Sequence, residues 1–209
     1  MKKVMLLLIE GLSKLGLDKL NRALSFGALL VVILAYVSGS VKFDHNWFSF
    51  LFRWFHVISG VMWIGLLWYF NFVQIPSMPK IPDEQKPAIG KVIAPTALFW
   101  FRWAALSTLV TGLVVGGMQG YLQHALSLGF LAEGPSKDIY IGLGMWLGLI
   151  MAFNVWNIIW PNQKIALGIV EGSADEKKAA ARIAMLTSRF NTMFSIPMLY
   201  FMVAAQNLA

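Results

Sequence analysis

The stretch "FRWFHVISGVMWIGLL", residues 52–67, places Arg53 and His56 three positions apart in an otherwise aromatic and aliphatic run. Residues three apart are neighbours on one face of a helix, so these two side chains share a face. A run this apolar is typical of a helix that crosses a membrane. The function therefore depends on what keeps a cation and an imidazole there.

Long apolar runs recur along the chain and predict an all-α integral membrane protein. Of its residues, 58% are hydrophobic and 13% charged, and the mean hydropathy is +0.66. A membrane-spanning helix needs about 20 apolar residues. Five runs match this, without the two-residue alternation of barrel strands. These runs are 23–41, 47–74, 93–118, 139–160 and 190–207.

Two further segments predict amphipathic helices. Residues 1–22 combine recurring lysines with leucines, which suits a helix lying in the membrane interface. We therefore expect two parts, an interfacial helix over 1–22 and a single transmembrane helical domain over 23–209. Ser173 and Glu176 have the spacing of a capping box, which predicts a short cytoplasmic amphipathic helix before the last span.

The charge distribution predicts the orientation. With five spans, the segments on the side of the amino end carry thirteen Lys and Arg residues, and the other side carries only Lys42 and Lys137. This places the amino end in the cytoplasm and the carboxyl end outside. The positive residues form no single basic patch, which argues against nucleic acid as a partner.

Arg53, His56 and Arg102 form the most informative polar set. Helix lengths place His56 and Arg102 at similar depth, with Arg53 one turn further out on the face of His56. Neither arginine faces an Asp or Glu within the five spans. A lone charge at the bilayer centre costs about 2.5–3.5 kcal/mol. The open alternatives are a bound anionic cofactor, an anionic substrate, a water-filled cavity, lipid phosphate reached by snorkelling, and a partner's carboxylate.

The cofactor alternative is b-type haem, with His56 on the iron and Arg53 or Arg102 pairing the propionates. Covalent haem is excluded because the chain has no cysteine. His45 lies eleven residues from His56, about 16 Å along a helix, and cannot share its iron. Met62, Met145 or Met198 would complete the coordination, or the iron would be five-coordinate. The structural alternative gives His56 a serine or backbone hydrogen bond.

A second polar cluster lies toward the predicted cytoplasmic end. Asn71, Asn154 and Asn157 are candidate substrate-binding residues, because their amides suit a planar ligand that forms hydrogen bonds. The alternative is that these amides cap helix ends and bond across helices.

Three segments together resemble the membrane domain of the bacterial membrane urate oxidase (urate hydroxylase) family, over about residues 47 to 209. They are "RWFHVISGVMWIGLLWYFNFVQIP", "NVWNIIWPNQK" and "SRFNTMFSIPMLYFM". His56, Arg53, Asn154 and Asn157 match family-like positions. The arginine and histidine pattern is also similar to that of the haem-associated membrane protoporphyrinogen oxidase family.

The resemblance implies a multi-pass protein of the bacterial inner membrane that oxidises urate or a similar small planar substrate. Typical members pass electrons to a cytochrome c domain at the carboxyl end, whereas this chain ends at Ala209 without a haem-attachment motif. The resemblance therefore implies a separate cytochrome c partner. Two rival functions remain open: a non-catalytic membrane subunit or assembly partner of a larger respiratory-type complex, and an anion transporter that uses the positive centre.

Overall fold

The computed structural model describes residues 2–131 and 138–208, and all regular structure in these ranges is helical. The predicted all-α fold is confirmed. Lys137, which counted toward the predicted orientation, lies outside the described residues. The α-helices are α1 Lys2–Lys14, α2 Leu20–Val37, α3 His45–Trp68, α4 Ile75–Ser77, α5 Lys86–Ala88, α6 Ala94–Met118, α7 Leu122–Leu126, α8 Asp138–Asn154, α9 Trp160–Ala166 and α10 Ala174–Asn207.

Wider and tighter helical turns extend several of these helices. Tyr69–Gln74, Ile89–Ile93 and Val155–Ile159 are π-helical, and Met78–Lys80 is a 3₁₀ turn. The three π-helical stretches join α3 to α4, α5 to α6, and α8 to α9, respectively. The chain therefore has three long helical segments in these regions.

Four helical segments of the described chain are long and apolar enough to cross a membrane: Leu20–Val37, His45–Lys80, Lys86–Met118 and Asp138–Ala166. They correspond to the first four predicted spans. The predicted fifth span, 190–207, lies within α10, which is not among them. Asn191, Gln206 and Asn207 lower the hydropathy of that run. The fifth span and the orientation remain predictions.

The predicted short helix before the last span is wrong as a separate element. α10 runs unbroken from Ala174 to Asn207. Neither glycine nor proline occurs between Ala174 and Ile196, so nothing in the sequence ends the helix there. The capping box that begins it is confirmed, because Ser173 Oγ accepts from the Glu176 backbone and the Glu176 side chain accepts from the Ser173 backbone.

Contacts divide the chain into two compact units, Met1–Phe48 and Ser49–Ala209. The first contains α1, α2 and the first residues of α3. None of the residues of α2 is buried, although its mean hydropathy is 1.9. A helix that is apolar all round and unburied suits a lipid environment.

The core of the second unit lies where α3, α6, α8 and α10 meet. Its largest fully buried side chains include Trp63, Leu67, Phe101 and Met151. α8 and α10 pack closely because Gly144 has no Cβ: a Cβ there would lie 3.2 Å from the Met202 backbone nitrogen. Gly144 therefore has a packing role between these two helices.

Candidate functional site

A cavity of about 650 Å³ lies among α3, α6, α8 and α10. Most of its lining is apolar. The polar groups at its Arg53 end, called the polar end below, are Arg53, Tyr121, Gln206 and Asn207. A volume in this range accommodates a small molecule or cofactor.

His56 lines this cavity and is held in a fixed orientation. Its Nδ1 lies 2.9 Å from the backbone carbonyl oxygen of Thr108 on α6. A carbonyl oxygen only accepts, so Nδ1 carries the hydrogen and donates it. In the neutral imidazole, Nε2 is then left with its lone pair. This is the tautomer that ligates a metal through Nε2.

Gly112 makes room for the His56 ring. A Cβ at Gly112 would lie 2.9 Å from Cε1 and 3.1 Å from Nδ1 of His56. One methyl group at this position would therefore push the imidazole away from α6. Gly112 therefore lets the His56 side chain of α3 approach α6 closely.

Arg53 lines the cavity, and so does Tyr121, which follows α6. Burial raises the pKa of the Tyr121 phenol above its ordinary value, the nearby positive charge of Arg53 opposes this rise, and Asp138 adds to it. The phenol is therefore a neutral hydrogen-bond donor at neutral pH. A cation and a donor at one end suit an anionic group on a ligand.

Arg102 lies apart from this cavity. Its Cζ atom is 3.7 Å from the centroid of the Trp160 ring and 5.7 Å from that of Phe99. Arg102 is not among the residues that line the cavity, so the structure does not bring it together with His56 and Arg53. The partner of this guanidinium is an aromatic face, which attracts a cation through its quadrupole.

The three candidate asparagines make hydrogen bonds within the helix bundle. Asn154 Nδ2 donates to Asn191 Oδ1 at 2.8 Å, and Asn191 Nδ2 donates to the Met151 carbonyl. Asn71 Nδ2 donates to Ser188 Oγ at 2.8 Å, and exposed Asn157 bonds only the backbone of its own helix. None of the three lines the cavity. The geometry favours the structural alternative for Asn154 and Asn157, whereas Asn71 Oδ1 is buried without a hydrogen-bond partner.

Sequence reasoning missed several lining residues. Tyr121, Gln206 and Asn207 lie outside or at the end of apolar runs, where no local pattern singles them out. Trp63 is 1% exposed, lines the cavity, and its Nε1 has no hydrogen-bond partner in the structure. The indole of Trp68, by contrast, donates to Ser195 Oγ at 3.0 Å.

The described residues include no group of three or more His, Cys, Asp or Glu side chains placed to hold a metal ion. A haem iron needs only one or two protein ligands, because the porphyrin supplies the other four. The cavity offers the His56 imidazole and three thioethers, those of Met145, Met198 and Met202. Met62 is not among its lining residues and is 45% exposed.

Comparison with known families finds a similarity over the last part of the chain. The family model described as "Urate oxidase N-terminal" matches residues 125–207. This is less than half of the chain, and it covers the α8 and α10 side of the cavity but neither His56 nor Arg53. The match supports a relation to urate oxidases over that part.

Two further comparisons give no match. No curated protein matches the chain. No solved structure matches it either.

Proposed function

We propose that this chain is a membrane redox protein related to urate oxidases and that its cavity holds b-type haem through His56. The observation that carries the proposal is the fixed imidazole of a residue that lines the cavity: Nδ1 donates to Thr108 O, which leaves the Nε2 lone pair for a ligand. Haem-bound and other metal-bound histidines characteristically donate their second nitrogen to such an acceptor.

The lining of the cavity suits the apolar ring and the negative charge of haem. The porphyrin is a flat apolar ring with two carboxylates on one edge. The cavity has apolar walls of Val57, Val61, Ile64 and Leu199, and the polar end carries Arg53. Arg53 and Tyr121 would hold the carboxylate edge, while His56 would hold the iron. Bound haem would supply one-electron transfer.

Arg102 has a different role in this proposal. Since its guanidinium stacks on Trp160, it stabilises the packing of α6 against α9 instead of pairing a propionate. The four long apolar segments support a membrane location, and the uneven distribution of Lys and Arg supports the bacterial inner membrane with the amino end in the cytoplasm.

The substrate proposed is urate or a similar small planar compound, and the electron acceptor is a separate cytochrome c. The match to the urate oxidase family over residues 125–207 supports the substrate class. Urate-dependent reduction of added cytochrome c by membranes that contain the chain would be the direct measurement. No reduction above empty membranes would contradict the substrate but not the haem site.

The haem proposal is tested with the full chain purified in detergent. We expect a Soret band that is lost in His56→Ala and kept in His45→Ala, a matched change at an exposed histidine. Gly112→Ala keeps the imidazole but displaces it, so haem content should fall there as well. Helical circular dichroism and gel filtration show that each variant folds. A folded wild-type protein that takes up no haem would overturn the proposal.

Stoichiometric partner chains that co-purify with a haem-free protein would favour the alternative of a non-catalytic membrane subunit. Anion uptake into liposomes would instead favour a transporter.

A further inference from the structure

The cavity places sulfur ligands opposite α3, on α8 and α10. Met145, Met198 and Met202 all line it, and the same three residues border a second cavity of about 50 Å³ that also touches His56. Thioether sulfur is a soft ligand that binds haem iron in the presence of histidine on the other face.

The depth of Met145 matches that of His56. Trp156 Nε1 donates to the Arg102 carbonyl at 3.2 Å, which aligns α8 with α6 at that level. The two helices run in opposite directions, because Trp156 just after α8 meets Arg102 in the first half of α6, whereas Gly142 near the start of α8 lies against Ala125, which comes after the end of α6. Gly112 lies ten residues after Arg102 on α6, and Trp146 lies ten residues before Trp156 on α8. At 1.5 Å per residue, both are about 15 Å from the aligned level, so Gly112 lies beside Trp146. Met145 is adjacent, and Gly112 contacts the His56 ring.

The other two thioethers are less suited. The Met202 sulfur lies 3.3 Å from the position that a Cβ of Gly144 would take, so it packs against the backbone of α8. Met198 is one helical turn from Met202, about 6 Å toward the Ser195 contact with Trp68. Met145 and Met202 both lie near the level of Gly112, but the Met202 sulfur is placed against the α8 backbone at Gly144, which leaves Met145 as the better-suited ligand.

We infer that Met145 is the second axial ligand of a haem held by His56, so that the iron is six-coordinate and relays electrons. This inference rests on the proposed function. It resolves the coordination alternatives that the sequence left open among Met62, Met145, Met198 and a five-coordinate iron. A thioether ligand raises the reduction potential of haem, because soft sulfur stabilises the reduced iron.

The test uses the full chain with haem b added, and measures haem content, spin state, carbon monoxide binding and reduction potential. Wild type should be low-spin and bind carbon monoxide weakly. Met145→Leu, which nearly conserves volume, should keep its haem, become high-spin, bind carbon monoxide several-fold more and show a lower reduction potential. Met62→Leu is the matched control, because that thioether lies outside the cavity lining, and it should leave all four readouts unchanged.

Three results would overturn the inference. A five-coordinate wild-type haem shows that no second protein ligand binds. A low-spin spectrum that survives Met145→Leu, or one that is lost in Met198→Leu instead, assigns the ligand elsewhere. These results leave the haem proposal standing, whereas wild-type protein without any Soret band removes both.

Discussion

The unit Ser49–Ala209 contains two polar regions that satisfy their charges in different ways. The cavity region holds Arg53, His56 and Tyr121 around an open volume of about 650 Å³. The packed region holds Arg102 on the Trp160 ring and the Asn154–Asn191 pair between α8 and α10. The two arginines therefore differ in surroundings, because Arg53 faces an open volume and Arg102 faces an aromatic ring.

The largest expected difference between the regions concerns the two arginines. Arg53→Gln should weaken haem binding by about tenfold to a hundredfold, because a charge-assisted hydrogen bond contributes about 1.5–3 kcal/mol. Arg102→Gln is the matched control and should leave haem affinity unchanged. Titration of the apoprotein with haem b measures both. Equal losses of haem affinity in the two variants would show that the two arginines do not differ in their role in haem binding.

Substitutions in the packed region should change the stability of the protein and not its affinity for haem. Trp160→Leu removes the ring beneath Arg102, and we expect a loss of about 1 kcal/mol, the value for a half-buried cation–π pair. Thermal unfolding in detergent measures the loss. Trp100→Leu is the control, since Trp100 is 52% exposed and its ring contacts Phe99. A fall in haem affinity, with stability intact, would place Trp160 in the cavity region.

The asparagine pair gives a smaller effect in the same region. Asn191 is 0% exposed and accepts from Asn154. Hydrogen bonds between membrane helices couple by about 0.6 kcal/mol on average and about 1.7 at most. A double-mutant cycle of Asn154→Ala and Asn191→Ala should give coupling in that range. Strictly additive losses would show that the pair does not tie α8 to α10.

The smallest effect is a pH dependence at the start of α10. The backbone and side-chain hydrogen bonds with Ser173 lower the pKa of Glu176 below its ordinary value. A carboxyl with a lowered pKa stabilises the folded helix start above its unfolded pKa and loses that effect as pH falls through the folded pKa. Hydrogen exchange of the first turn should therefore speed up on acidification, but not in Glu176→Gln. Haem binding should not follow this pH profile.

Composition and run lengths predict the helices well, because each depends on local sequence. The all-α fold, the first four apolar spans and the α10 cap follow from such patterns. The break predicted before the last span fails for a related reason. Charged residues near 175–189 indicate a change of environment, and a helix passes through such a change without ending.

The sequence predicts less well which side chains meet in the folded protein. Counting residues gives depth along a helix, and on depth alone Arg102 joins His56. It does not give the rotation of one helix against another, which turns Arg102 toward Trp160 and His56 toward Thr108. Tyr121 was missed for a similar reason, since only the packing of α3 beside the end of α6 brings it to Arg53.

Some walls of the cavity also face outward. Val61 on α3 is 69% exposed and Val203 on α10 is 61% exposed, yet both line the cavity. In a bilayer, acyl chains would touch the same valines as the bound molecule. Detergent tails would then compete with haem for the cavity during purification. The haem content measured in micelles therefore sets a lower bound on the haem content in native lipid.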